Sequence, residues 1–231
     1  MTSSRARFGY AVVLIGLAVM LSVGTAHAGI LPVVQPYESF SDSPFSGQPF
    51  TWFYLEDFED GFLNTPGVTA STGVVAGPGA EIDSVDGGGN NGHSFFSESG
   101  AAGITFTFNA AALGGHLPTA AGIVWTDGDP GSFGREFQAF DENNVQIGST
   151  LFNLNDGWFF EGDGNPEHFI FFGVTNPGGI SSIFIANGAG GIEVDHLQYG
   201  LNAATTPEPG SMMLLASGLL GLAGWRRKAT K

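Results

Sequence analysis

The segment Gly103-Ile104-Thr105-Phe106-Thr107-Phe108-Asn109 alternates large apolar and small polar residues without a break. Successive side chains on a strand point to opposite faces, so Ile104, Phe106 and Phe108 line one buried face while Thr105 and Thr107 meet solvent. A second segment, Phe169-Ile170-Phe171-Phe172, is apolar on both faces and reads as a central strand. Working outward, short runs rich in β-branched and aromatic residues recur at Thr51–Leu55, Val68–Val75, Ser94–Ser97, Ala121–Thr126, Glu136–Phe140, Gln146–Phe152, His168–Val174, Ser181–Ala186 and Ile192–Tyr199. Clusters of Gly, Asn, Asp and Pro at 86–92, 127–131, 141–144, 161–166 and 176–179 separate them, and these residues tolerate positive φ or pre-set a turn. About ten strands at this spacing predict an all-β, two-sheet sandwich of jelly-roll type over residues 51–202. Residues 29–50, with Pro32, Pro36, Pro44 and Pro49, read as an extended N-terminal arm, and 203–206 as a short linker.

Charge is partitioned sharply. Of the seven basic residues, Arg5, Arg7, Arg226, Arg227, Lys228 and Lys231 lie near the two ends, leaving Arg135 alone between Gly29 and Thr206. The same stretch holds 21 acidic residues. Such a surface repels nucleic-acid phosphates, which excludes that class of partner, and attracts Ca²⁺. The absence of cysteine excludes disulfides, thiol catalysis and Cys-ligated metals. A body of this length can bury one core without such staples.

The ends carry sorting information. Arg5 and Arg7 precede an apolar run from Tyr10 to Val23, and Ala26-His27-Ala28 then offers a small-residue cleavage site before Gly29. That pattern predicts a secretory signal peptide over 1–28, with an uncleaved N-terminal anchor as the alternative. At the other end stand Pro207-Glu208-Pro209, the apolar stretch 211–225, and the basic cluster Arg226-Arg227-Lys228. As a helix, Met212 to Trp225 spans about 21 Å. That is short of a hydrocarbon core of about 30 Å. Transient insertion followed by cleavage suits the stretch better than permanent residence, with the basic cluster staying on the cytoplasmic side. Residues 207–231 resemble the PEP-CTERM sorting signal of Gram-negative bacteria. The resemblance implies an exported protein anchored by its tail, then processed by an exosortase-type enzyme and delivered to the cell surface, exopolysaccharide matrix or biofilm.

The body is similar to the carbohydrate-binding-like jelly-roll domains found upstream of such tails. The residues that carry this are Gly122-Ile-Val-Trp125-Thr-Asp127-Gly128, Phe172-Gly-Val174 with Ile180-Ser-Ser-Ile183, and Ile192-Glu-Val-Asp195-His-Leu-Gln-Tyr199-Gly200. In that family a Phe-Glu pair near the first strand and an Asp in the last hold a structural calcium, which implies a site at Asp57, Glu59 and Asp195. Calcium takes six to eight oxygens from carboxylates and carbonyls, and the loop over 86–90 could add some. The alternative is that these are surface or capping carboxylates with no metal. The loop acids Asp127, Asp129, Asp156, Glu161 and Asp163 match no complete calcium-loop template and read as solvated turns.

Trp52, Tyr54 and Trp158 are the candidates for stacking on a sugar ring. Trp158 stands beside Asn155, Asp156 and Gly157, whereas Trp125 lies in an apolar run that favours the core. No pair of carboxylates is singled out for glycosidase chemistry. His93, His116, His168 and His196 lack metal spacing, and no nucleophile elbow or P-loop exists. The expectation is therefore a non-catalytic glycan-binding sandwich. A matrix component without a specific ligand, or a polysaccharide-active enzyme, is the alternative.

Overall fold

Ile104, Phe106 and Phe108 point inward as their alternation requires, with exposures of 0, 0 and 4%. The computed structural model describes residues 28–79, 82–86, 91–128, 134–152, 166–203 and 218. The strands it contains are β1 (Gly29–Ile30), β2 (Phe50–Glu56), β3 (Val68–Ala70), β4 (Val74–Ala76), β5 (Ser94–Ser97), β6 (Ile104–Phe108), β7 (Ala120–Gly128), β8 (Arg135–Asp141), β9 (Gln146–Phe152), β10 (Ile170–Thr175), β11 (Ile180–Ala186) and β12 (Ile192–Asn202). One sheet has the order β1-β10-β7-β12-β5-β4, with β2 also paired to β12. The second has the order β3-β6-β11-β8-β9. The pairings are antiparallel. The protein is a two-sheet β-sandwich.

Between the sheets, Phe95, Ile123, Trp125, Ile170, Phe172, Val194 and Tyr199 of the larger meet Phe106, Phe137, Ile183 and Ile185 of the smaller. Trp125 is fully buried there, and its indole Nε1 donates to Asn187 Oδ1 at 2.7 Å. The double-sided apolarity of 169–172 has a physical cause beyond central position. Ile170 and Phe172 enter this core, while Phe169 and Phe171 enter a second cluster on the outer face of the larger sheet, with Ala120 and Val124.

Tyr37, Phe45 and Val85 cover that second cluster. The N-terminal segment lies packed on the larger sheet. It begins as β1, follows β10 through Leu31 N–H to Gly173 O (2.8 Å) and Tyr37 N–H to Phe169 O (3.1 Å), and then folds back to enter β2. The proposed strand Val68–Val75 is also two strands in two sheets. Gly73, at φ +104°, sits where the chain crosses, and a Cβ there would lie 2.4 Å from the Phe95 ring. Periodicity could not show a break that backbone conformation decides.

The signal segment up to His27, with Ala26, and the tail with Pro207, Glu208, Pro209, Arg226, Arg227 and Lys228 lie outside the described residues. Ala28 is exposed, immediately before β1. Among the described residues, no helix is long and apolar enough to cross a membrane.

Candidate functional site

Alternation along β12 sends Ile192, Val194, Leu197 and Tyr199 into the core between the sheets. The opposite face receives Glu193, Asp195 and Gln198, under the cover supplied by residues 37–45 and 82–86. The register against β7 shifts between Asp195 and Gln198, where His196 adopts φ 45°. This bulge turns the imidazole into the same layer.

A continuous polar network results. Glu193 Oε1 accepts the Asp83 amide (3.1 Å) and the Ser94 hydroxyl. Asp195 accepts Val85 N–H at Oδ2 (2.7 Å) and His196 N–H at Oδ1 (2.6 Å). His196 Nε2–H donates to Asp86 Oδ2 (2.7 Å), and its Nδ1 lies 3.0 Å from the Tyr37 hydroxyl, which accepts from Gln198 Nε2 (2.9 Å). Gln198 Oε1 in turn accepts the Ser43 hydroxyl. Last strand, 82–86 segment and N-terminal segment are thus joined by buried hydrogen bonds.

Burial sets the electrostatics. It pushes Glu193 up to about 7, against the hydrogen bonds from Ser94 and Asp83. It also raises Asp195 to about 7, against the pull of His196 and two amides. His196 is lowered by burial, but the hydrogen bond to Asp86 and the charges of Asp195 and Asp86 outweigh that and leave it raised. Asp86 is held below the usual carboxylate range by its bond to His196, against its own burial.

One carboxylate oxygen each from Asp83, Asp127 and Glu193 lies within 4.8 Å of the others, the one such metal-compatible group among the described residues. All donors are hard oxygens, which suits a hard cation. The residues expected to bind calcium, Asp57, Glu59 and Asp195, are hydrogen-bonded in the same region. Asp195 has both oxygens engaged by backbone amides. Glu59 Oε1 accepts Ser84 Oγ (2.9 Å) and His93 N–H (2.7 Å), and Asp57 Oδ1 accepts the Glu59 amide (3.2 Å). Asp83 and Glu193 escaped the sequence reading. The available signal was Glu193 two residues from Asp195, hence on the same face of one strand.

A further buried carboxylate, Glu56, organises the loop after β2. Its Oε1 accepts Phe58 N–H, and its Oε2 accepts the amides of Asn64 (2.8 Å) and Thr65 (2.9 Å).

Trp52 and Tyr54 are half-buried neighbours on β2, with ring centroids 5.7 Å apart and planes at 38°. Both pack beside Tyr199, at 6.4 and 5.5 Å. Among the described residues, β2 pairs with β12 and has no strand on its other side. Trp158 lies outside the described residues. Arg135, the lone cation of the body, is 0% exposed, with its guanidinium carbon 3.5 Å from the centroid of the Trp125 ring. Its Nε, Nη1 and Nη2 have no hydrogen-bond partner among the described residues. Burial lowers its pKa to about 10, against the nearby charge of Asp127, so it stays charged at neutral pH.

Among solved structures, the chain is similar to the K2 cleaved adhesin domain of Lys-gingipain, with 11% identity and TM-score 0.43 over 66% of this chain and 99% of that one. It is also similar to the C-terminal family 22 carbohydrate binding module of Clostridium thermocellum Xyn10B, with 14% identity and TM-score 0.37 over 71% and 99%. No curated protein matches the sequence. Residues 205–228 match the PEP-CTERM protein-sorting motif. The chain therefore carries a PEP-CTERM sorting tail behind a β-sandwich, and is an exported protein.

Proposed function

We propose that this protein is an exported cell-surface or matrix component whose sandwich binds glycan without catalysis. In this reading the tail holds the precursor in the membrane until an exosortase-type enzyme cuts near Pro207-Glu208-Pro209. The observation that supports the binding role is the half-exposed pair Trp52 and Tyr54 on the open side of β2. Two adjacent aromatic faces suit the apolar faces of successive sugar rings. The buried carboxylates favour a non-catalytic role, because they are occupied by backbone amides and serine hydroxyls under a covering layer.

Binding of the 29–206 chain to a glycan array and to extracellular polysaccharide tests the reading. Tyr54→Ala is expected to weaken retention by about tenfold, the scale of one lost aromatic contact of roughly 1.4 kcal/mol. The melting temperature of the variant is measured alongside, because Tyr54 also packs on Tyr199. Absence of binding across the panel would favour a matrix component without a specific ligand. Release of reducing sugar would favour an enzyme.

The calcium that the family resemblance implies at Asp57, Glu59 and Asp195 belongs to the same reading, and Asp83, Asp127 and Glu193 are a second candidate set. Calcium added to chelated protein is expected to raise the melting temperature, and Glu193→Gln to remove that rise. If no rise occurs, the three carboxylates hold no calcium.

A further inference from the structure

The two ends of the sandwich differ in what leaves them. The register ties Gly29 to Thr175, Thr175 to Ala120, and Ala120 to Gly200. Residue Gly29 and the final residues of β12 therefore lie at one end of the larger sheet, across the strand order β1-β10-β7-β12. Three inter-strand steps separate them, about 14 Å. Ala203 is fixed at this end by its amide to Pro49 O (3.0 Å), and Asn202 by its amide to Thr119 Oγ1 (2.8 Å). The N-terminal apolar run and the sorting tail thus attach to the same end of the body. The match to the sorting motif starts at residue 205, so the tether after Ala203 is short. Four residues reach at most about 14 Å from Ala203 to Pro207.

Charge distinguishes the ends as well. The attachment end is built from the 109–119 loop, the Asn176–Gly179 turn and the Asp141–Val145 turn, as the hydrogen bonds Thr119 N–H to Gly200 O and Ile180 N–H to Pro118 O show. Its only acidic residues in these segments are Asp141 and Glu142. The far end carries Asp127 and the buried Asp83 and Glu193, with exposed Glu98 beyond β5 and Glu136 at the start of β8 next to the buried Arg135. Along β12 the two ends are about 33 Å apart.

We propose that the attachment end is a lipid-facing surface. The precursor stands on the bilayer with the 109–119 loop and the turns at 141–145 and 176–179 against the headgroups, and with the acidic end pointing away. A surface of anionic lipid repels carboxylates and its field fades within a Debye length, about 8 Å at physiological salt, so this orientation keeps the exposed Glu98 and the half-buried Asp127 and Glu136 out of it. Val145, 58% exposed on one of these turns, adds an apolar contact. The inference rests on the reading that the tail enters the membrane.

The chain has no cysteine, so single labels can be placed cleanly. Full-length protein with His116→Cys or Asn143→Cys labels the attachment end, and Glu98→Cys or Ser99→Cys the far end. All four positions are exposed. Each variant is first checked for an unchanged melting temperature, then reconstituted with phosphatidylethanolamine–phosphatidylglycerol vesicles containing a headgroup quencher. Flotation with the vesicles reports anchoring, and quenching of the label reports orientation. The expected result is flotation of all four, with severalfold quenching at 116 and 143 and none at 98 and 99. Flotation with quenching at the far end, at both ends or at neither would overturn the orientation and leave anchoring intact. Failure to float would overturn anchoring, and the orientation with it.

Discussion

Glu193 and Asp195 are carboxylates that burial keeps protonated to about pH 7. Their folded values lie above the ordinary ones, so the folded state retains protons that the unfolded chain releases. Stability is then fully present below about pH 4 and is lost as the pH rises through 7. His196, also raised, acts in the same direction, whereas Asp86, held low, loses its contribution as the pH falls. In chelator, urea unfolding is expected to show lower stability at pH 8 than at pH 5. Glu193→Gln should narrow that gap by up to about 3 kcal/mol, the scale of a carboxyl raised from its ordinary value to about 7. Arg135 gives a contrasting case. A buried guanidinium with no hydrogen bond among the described residues costs desolvation that stacking on Trp125 offsets only partly. Arg135→Met is expected to unfold at equal or higher urea, while Trp125→Ala costs about 3–5 kcal/mol through the cavity it leaves. A clear loss of stability in Arg135→Met would show that the guanidinium is paired.

At the scale of elements, the loop after β2 and the covering layer depend on a few hydrogen bonds. Glu56→Ala frees three amides at once, and an equilibrium loss of about 2–3 kcal/mol is expected, with faster amide exchange at Asn64 and Thr65. Tyr37→Phe removes the hydroxyl shared by His196 and Gln198 and should cost about 1–3 kcal/mol. Its effect should reach the 82–86 segment as earlier proteolysis, since His196 also holds Asp86. The strand pattern was legible from alternation where one face is buried, as in 104–108 and 192–199. It misled at 68–75, because a run of β-branched residues says nothing about the crossing at Gly73. The N-terminal segment shows a related limit of local pattern. Its prolines indicate extended backbone, but not the surface on which that backbone lies.

For the whole molecule, the covering layer is part of the folding unit. Residues 29–203 are expected to fold cooperatively without either terminal segment. A chain beginning at Phe50 should lose more than about 5 kcal/mol or aggregate, because Val124, Phe169 and Phe171 would face water without Tyr37 and Phe45. Equal melting curves for the two chains would show that the layer is dispensable. The order along the sequence already determined export and fold class, because sorting motifs are contiguous and a strand's alternation is local. The glycan-stacking candidates Trp52 and Tyr54 were visible as residue types, but their adjacency to Tyr199 was not. The carboxylate group was hidden for the same reason. Asp83, Asp127 and Glu193 are far apart in the chain, and only strand register and the fold-back of the 82–86 segment bring their oxygens together. Only the tertiary structure, through antiparallel pairing across four strands, also sets Gly29 and Ala203 at one end of the sandwich and Asp83, Asp127 and Glu193 toward the other.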